Sequence, residues 1–182
     1  MAPVAVRVGV VCSGNTCRSP VAGAWLRQIL ASEGLTSVEV WTAGVDVEGK
    51  PEVPEEAQQV APEIGMSEMA IEMLRVHQVS SVDKEDRKTD LIVWITNPEK
   101  VGYVDHWRET KETRAEWMVK RAEDLESLLL VMRERDQGFD AKARAASPEE
   151  TRAAYRQQGI NLGKQMKMIS RFIRSQIEET KE

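Results

Sequence analysis

The sequence predicts an α/β fold, a single domain built on a parallel sheet. Three observations lead there. Short apolar runs alternate with amphipathic segments, and the first of these runs passes through a polar, glycine-containing loop straight into a helix. The length, 182 residues of which 41% are hydrophobic, suffices for one sizeable core but not comfortably for two. Residues 1–182 are accordingly read as one domain.

Residues 4–11 are rich in valine, the mark of a strand buried on both faces. Residues 12–19, Cys-Ser-Gly-Asn-Thr-Cys-Arg-Ser, follow as a loop. The next helix is expected to start at Ser19, which suits an N-cap, with Pro20 in its first turn. Val21, Trp25, Ile29 and Leu30 share one face of it, and Gly34 can end it. A second strand is expected over 38–41. Ala43, Gly44 and a Pro- and Glu-rich stretch through Pro54 then read as a loop. Helical segments follow, ending near His77, with Met66, Met69, Ala70, Met73 and Leu74 as their apolar face. Residues 91–96 are a third short apolar run, bounded by Asp90 and by Asn97-Pro98. Residues 128–132 are a candidate fourth, although Trp117, Arg121, Leu125, Leu128 and Met132 also fit a helix, and periodicity leaves both readings open. They lie within an unusual region, 97–147, that overlaps an Asp-, Ala- and Arg-rich connection over 134–150. From Pro148 onward Tyr155, Leu162, Met166, Ile169, Ile173 and Ile177 mark a long amphipathic helix, about 148–179, expected to pack on the sheet.

Composition narrows the function classes. The net charge is only -5, with basic and acidic residues interleaved, so no basic face for nucleic acid declares itself. No run approaches the roughly 18 apolar residues of a membrane span, and the amino terminus lacks a basic start or cleavage site. A soluble, cytoplasmic protein with neither nucleic-acid nor membrane partners is expected. Cys12 and Cys17 are the only cysteines, and His77 and His106 the only histidines. That is poor material for a secreted disulfide framework or a zinc site, so no metal or cofactor is expected and both histidines read as structural or surface residues.

The segment from Cys12 to Ser19 carries the chemistry. A phosphoryl group needs several donors converging on its oxygens, and a loop feeding the first turn of a helix supplies backbone N–H groups and the positive end of the helix dipole. That field, reinforced by Arg18, favours Cys12 as thiolate, the form that attacks phosphorus. The planar guanidinium of Arg18 can also hold two phosphoryl oxygens at once, which lysine cannot. Gly14 is expected to take a backbone conformation that other residues resist, and Asn15 either to accept a left-handed conformation or to tie the loop together through its side chain. Ser19 can cap the helix or donate to the Cys12 thiolate, and the two roles compete for one hydroxyl. A nucleotide-type phosphate loop is excluded, because no Gly-Lys-Ser/Thr follows.

The run Val11-Cys12-Ser13-Gly14-Asn15-Thr16-Cys17-Arg18-Ser19-Pro20 closely resembles the signature of low-molecular-weight protein tyrosine phosphatases. The resemblance continues through Thr42-Ala43-Gly44, Gly49, His77 and Asp90-Leu91-Ile92-Val93, about the first hundred residues. It implies a four-stranded parallel sheet flanked by helices, with the phosphate-binding loop between the first strand and the first helix. It also implies a phosphocysteine intermediate hydrolysed by water, a phosphorylated protein as substrate, and phosphate or a similar oxyanion as ligand. Ser13, Gly14, Asn15, Thr16, Cys17, Arg18 and Ser19 would bind the phosphoryl group. Thr16 resembles the variant found in protein arginine phosphatases, where tyrosine-directed relatives carry an aliphatic residue. The segment Val45-Asp46-Val47-Glu48 also lacks the aromatics of tyrosine-directed relatives, and carboxylates there suit a cationic leaving group. The resemblance therefore favours phosphoarginine slightly over phosphotyrosine.

One expected part is missing. The family draws the leaving-group proton from an Asp-Pro pair just before the last helix, and this chain has none. Counting back from Tyr155 at the family spacing reaches Ser147-Pro148-Glu149-Glu150. Asp140, the nearest upstream aspartate, is the candidate general acid, with Asp136, Glu149 and Asp105 as alternatives. The departure keeps a second function open, a phosphate- or phosphoprotein-binding module with weak or no turnover. Cys12 and Cys17 flank one phosphate-sized loop and can pair under oxidation, which would protect the nucleophile. An arsenate reductase, which shares this fold, would need a resolving cysteine downstream of Cys17, and none is present.

Overall fold

The computed structural model describes residues 6–49, 52–82, 89–95 and 147–179. In chain order these form β1 (Val6–Cys12), α1 (Arg18–Ser32), β2 (Val38–Gly44), α2 (Glu55–Val60), α3 (Glu68–Arg75), β3 (Leu91–Trp94) and α4 (Pro148–Glu179). The strands make one parallel sheet in the order β2-β1-β3. As the central strand, β1 is covered on both faces, and Val8, Val10 and Val11 are wholly buried. That accounts for its uninterrupted valine run. Its entry is tied to β3 by a reciprocal pair, the Arg7 amide to Asp90 Oδ2 at 2.8 Å and the Asp90 amide to the Arg7 carbonyl at 2.9 Å. The candidate fourth strand, residues 128–132, lies outside the described residues, as does the rest of 97–146.

Helix α1 begins one residue before the expected cap. Cys17 is its N-cap, with no side-chain capping bond, and Ser19 is buried inside the first turn. Its end is as expected: Gly34 has φ 74°, and the amides of Gly34 and Leu35 close on the carbonyls of Ala31 and Leu30. Strand β2 outruns the expected 38–41. It continues through Thr42, Ala43 and Gly44, which pair in register with Val10, Val11 and Cys12. Glycine at 44 belongs to the strand rather than the expected loop and marks a close approach, since a Cβ there would stand 2.7 Å from the Ser13 carbonyl oxygen and 2.9 Å from the Asn15 amide. In the α2–α3 segment Met66, Ala70 and Leu74 face the core, but Met69 is 69% exposed and leaves the expected apolar face.

Helix α4 spans the expected 148–179, about 48 Å of helix. It lies against α1 and α2, and Leu162, Met166, Ile169 and Ile173 form its buried stripe. Two glycines let it approach closely. Gly159 leaves room for Ile64, which a Cβ would meet at 2.5 Å, while Gly163 sits against the Trp25 ring, 3.0 Å from where its Cβ would be. The Trp25 indole N–H donates to the Gly159 carbonyl at 3.0 Å. Among the described residues, no helix is long and apolar enough to cross a membrane.

Candidate active site

Parallel strands end on one edge of the sheet, and there the loop from β1 to α1 lies beside the loop leaving β2, with Cys12 in register with Gly44. Cys12 is 2% exposed. Its sulfur takes the Asn15 amide as donor at 3.2 Å and contacts Ser19 Oγ at 3.0 Å. Asn15 Nδ2 donates into Ser19 Oγ at 2.8 Å, so the serine proton can turn to the Cys12 sulfur, with the Ala43 carbonyl a longer alternative at 3.4 Å. The competition between capping and serving the sulfur is thus resolved toward the sulfur, and the expectation of Ser19 as N-cap is corrected. Its place inside the first turn of α1 is what aims the hydroxyl back at Cys12.

Asn15 organises the loop. In this segment the left-handed φ belongs to Asn15, at 54°, rather than to Gly14. Asparagine tolerates that conformation and brings a side chain glycine lacks. Nδ2 donates to Ser19 and to Thr42 Oγ1 at 3.1 Å, Oδ1 accepts the Ser80 amide at 2.9 Å, and the carbonyl accepts from His77 Nε2 at 2.8 Å. The residue is wholly buried, and these bonds satisfy it on both its side chain and its main chain. His77 is therefore structural, as expected, but its task is to prop the loop. Burial pushes its pKa below the ordinary value; the bond to the Asn15 carbonyl opposes that, Arg27 adds to it and Glu52 opposes it. The neutral ring carries its proton on Nε2, because a carbonyl can only accept.

Arg18 opens α1, and its Nη1 donates to the Ile95 carbonyl at 3.1 Å, at the end of β3. The Ile95 amide donates to the Val11 carbonyl at 2.7 Å, so the guanidinium is tethered to the strand end next to Cys12. Ser13, Gly14 and Thr16 are half-buried along the loop. Cys17 engages a different partner: its thiol donates to Gln158 Oε1 on α4 at 3.4 Å. Both cysteines are free thiols.

The β2 loop is anchored to this cradle through its main chain. Val45 N–H donates to the Cys12 carbonyl at 3.1 Å and Asp46 N–H to the Ser13 carbonyl at 2.8 Å, while the side chains of Asp46 and Glu48 are exposed. Of the candidate proton donors, Asp140, Asp136 and Asp105 lie outside the described residues, as does His106. Glu149 is exposed on the first turn of α4. The position reached by the family spacing is a capping box: Ser147 Oγ accepts the Glu150 amide and Glu150 Oε2 accepts the Ser147 amide, each at 3.3 Å. Ser147 there starts a helix. Among the described residues no group of His, Cys, Asp and Glu could hold a metal ion.

Sequence reasoning placed Cys12, Asn15 and Ser19 in one loop, and the structure brings them into one hydrogen-bonded set. It missed Thr42, Ser80 and Gln158 as partners of that loop. Thr42 lay in a segment already singled out, but nothing in the local sequence at 80 or 158 marks a residue whose partner is so distant along the chain.

As a whole the arrangement presents a sulfur with hydrogen-bond donors on it, at the mouth of a helix, beside an arginine. The family model described as low molecular weight phosphotyrosine protein phosphatase matches residues 7–120. Among solved structures the chain is similar to the YwlE arginine phosphatase from Geobacillus stearothermophilus, at 23% identity and TM-score 0.60, covering 96% of each chain. It is also similar to a low molecular weight phosphotyrosine phosphatase from Vibrio cholerae O395, at 20% identity and TM-score 0.59, covering 94% of this chain and 98% of that one. A low molecular weight protein tyrosine phosphatase from T. tengcongensis is similar at 21% identity and TM-score 0.57, with 90% and 97% covered. At these identities the likeness is one of fold. No curated protein sequence matches the chain.

Proposed function

Because this chain belongs to the low molecular weight phosphotyrosine protein phosphatase family, and so is a cysteine-dependent phosphatase of phosphorylated side chains, we propose that Cys12 is its nucleophile, Arg18 its phosphoryl clamp and phosphoarginine its preferred substrate. The observation that carries the assignment is the Cys12 sulfur, buried at the end of β1 with the Asn15 amide donating to it and the Ser19 hydroxyl in contact. Both groups stabilise negative charge on sulfur. In the first step the thiolate forms a P–S bond as the P–N or P–O bond to the side chain breaks. In the second, water attacks phosphorus, phosphate leaves, and the same donors receive the returning thiolate. The amides of residues 13–18 and the Arg18 fork, held at the end of β3, serve the equatorial oxygens. Residues 1–182 act as one domain, and Cys12 and Cys17 form a redox pair across the loop.

The leaving group also needs a proton. We assign that to a carboxylic acid from the 97–147 region, Asp140 first, with Asp136 and Asp105 behind it; Glu149 is the weaker alternative because it sits exposed at a helix start. The capping role of Ser147 favours a second reading, in which turnover is slow and phosphoprotein binding predominates. Turnover against leaving-group pKa separates the two, since without a general acid the rate falls steeply as the leaving group becomes more basic. Asp140→Asn is expected to steepen that dependence, and an unchanged slope removes Asp140 from the mechanism.

Thr16 in the cradle and Asp46 beside it support phosphoarginine. A short hydroxyl suits a guanidinium better than a flat phenol, and the carboxylate of Asp46, whose own amide bonds the loop at Ser13, attracts the cation. The shared fold does not discriminate, because arginine- and tyrosine-directed proteins both have it. Cys12→Ser is expected to lose aryl phosphate hydrolysis, on the order of 10⁴-fold or more, while still binding phosphate. Undiminished activity in that variant overturns the assignment. Side-by-side hydrolysis of phosphoarginine and phosphotyrosine peptides tests the substrate, and a strong phosphotyrosine preference reverses the reading of Thr16.

A further inference from the structure

A hydrogen bond joins the phosphate loop to helix α4. Cys17 and Gln158 are almost fully enclosed, 8% and 4% exposed, and the Cys17 thiol donates to Gln158 Oε1 at 3.4 Å. A primary amide buried on the packing face of a helix, beside Gly159 and one turn from Leu162, is unfavourable unless its polar atoms are paired. Leucine would serve packing there, so the polar residue needs a reason, and the thiol supplies one. Cys12 is held separately, by the Asn15 amide and Ser19 Oγ. The two sulfurs of the loop therefore bond to different groups, Cys12 within the loop and Cys17 on α4.

We propose that Gln158 is a positioning residue for redox control of this site: it latches Cys17 as a thiol turned toward α4 and so sets how fast Cys17 closes a disulfide onto oxidised Cys12. The proposal rests on the reading of Cys12 as the reactive thiolate and Cys17 as its redox partner. With hydrogen peroxide as oxidant, the Cys12 sulfur attacks one peroxide oxygen, the O–O bond breaks, and Cys12 becomes a sulfenic acid as water is released. Cys17 must then leave Gln158, lose its proton and attack the Cys12 sulfur. The S–S bond forms, the S–O bond breaks, and hydroxide departs with that proton as water. Two electrons pass from the two thiols to the peroxide. An acceptor on the Cys17 proton opposes both release and ionisation, so Gln158 slows closure and leaves Cys12 open longer to a second peroxide.

The test uses the full chain as wild type, Gln158→Leu and Gln158→Glu, each treated with hydrogen peroxide. Intact mass and peptide mapping give the ratio of disulfide, with two hydrogens lost, to Cys12 sulfinic acid, with two oxygens gained. Gln158→Leu is expected to shift the ratio toward disulfide by roughly fivefold, the factor set by one net hydrogen bond. Gln158→Glu is expected to shift it the other way, because a carboxylate accepts more strongly and repels a nascent thiolate. If the leucine variant does not fold, Gln158→Met carries the same expectation. Equal ratios, or both variants moving in the same direction as a loosened helix would make them, overturn the latch. A wild type that oxidises Cys12 without closing any disulfide overturns instead the pairing on which the latch rests.

Discussion

Two loops leave the same edge of the sheet side by side, from β1 and from β2, and they are built on opposite plans. In the first, side chains turn inward: Asn15 is wholly buried and bonds to Ser19, Thr42 and Ser80, so the loop is wired to a helix, a strand and a distant segment. The second is fastened by main-chain amides, Val45 to Cys12 and Asp46 to Ser13, and turns Asp46 and Glu48 outward. A loop held by its side chains tolerates few changes in them. A loop held by its backbone is free to vary what it displays. The wired loop and the displayed loop are thus separate pieces of chain that meet at Gly44.

The comparison breaks first at Asn15. Asn15→Ala removes the bonds to Ser19 and Thr42, strands the Ser80 amide and leaves a Cβ residue in left-handed backbone; a loss of about 3 kcal/mol and roughly a hundredfold in kcat/KM is expected. Denaturant unfolding and steady-state kinetics measure both. Asn15→Gly sharpens the point, since it relieves the backbone and should recover about 1 kcal/mol without restoring activity. Gly44→Ala attacks the seam, where its Cβ would collide with the Ser13 carbonyl and the Asn15 amide; a cost of about 1–3 kcal/mol is expected in a denaturant melt, with the two loops forced apart. Asp46→Asn belongs to the outward plan, and it should lower kcat/KM for phosphoarginine peptides by about threefold relative to phosphotyrosine peptides while leaving stability unchanged. Equal losses on both substrates would show that the β2 loop takes part in the chemistry.

The smallest effect is expected at His77. Its folded pKa lies below the ordinary 6.5, so the unfolded chain binds a proton first as pH falls. The histidine's contribution to stability is then complete above the unfolded value and is lost as pH descends through the lowered folded one. His77→Gln keeps a donor for the Asn15 carbonyl but cannot titrate. Its melting temperature should vary less than wild type's between neutral pH and mild acid, and a steeper dependence would contradict the depressed pKa.

The elements legible in the sequence were those whose cause is local. Buried valines at 8, 10 and 11 declare a central strand, and Leu162, Met166, Ile169 and Ile173 declare a helical stripe, because each pattern repeats within a few residues. Readings failed where a distant partner overrode a local preference. Ser19 looks like a cap until the Cys12 sulfur claims its hydroxyl, and Gly44 reads as loop until β1 pairs with it. Met69 keeps the helical spacing of a core residue, yet it stands exposed on α3. In the loop itself, Gly14 does not take the left-handed conformation that glycine permits, while Asn15 both adopts it and ties the loop through its side chain, the two roles its sequence offered as alternatives. Cys12 and Ser19 were readable because chemistry demanded them at that spacing; Gln158 was not, because its reason lies 141 residues away.

That separation also bears on how the protein is made. Strands β1 and β2 and helix α1 follow one another closely along the chain, so a ribosome delivers them together, and the turn holding Cys12 can begin to assemble among neighbours in sequence. Gly163, which sits against the Trp25 ring, the Gly159 carbonyl that accepts its indole N–H, and the amide that holds Cys17 come much later in the chain. Bringing them back closes a very long loop, a contact of high order and hence a slow one. Until then α1 shows the growing chain's surroundings a tryptophan face that belongs inside. The nascent polypeptide thus emerges with Cys12 and Cys17 before the helix whose Gln158 engages Cys17.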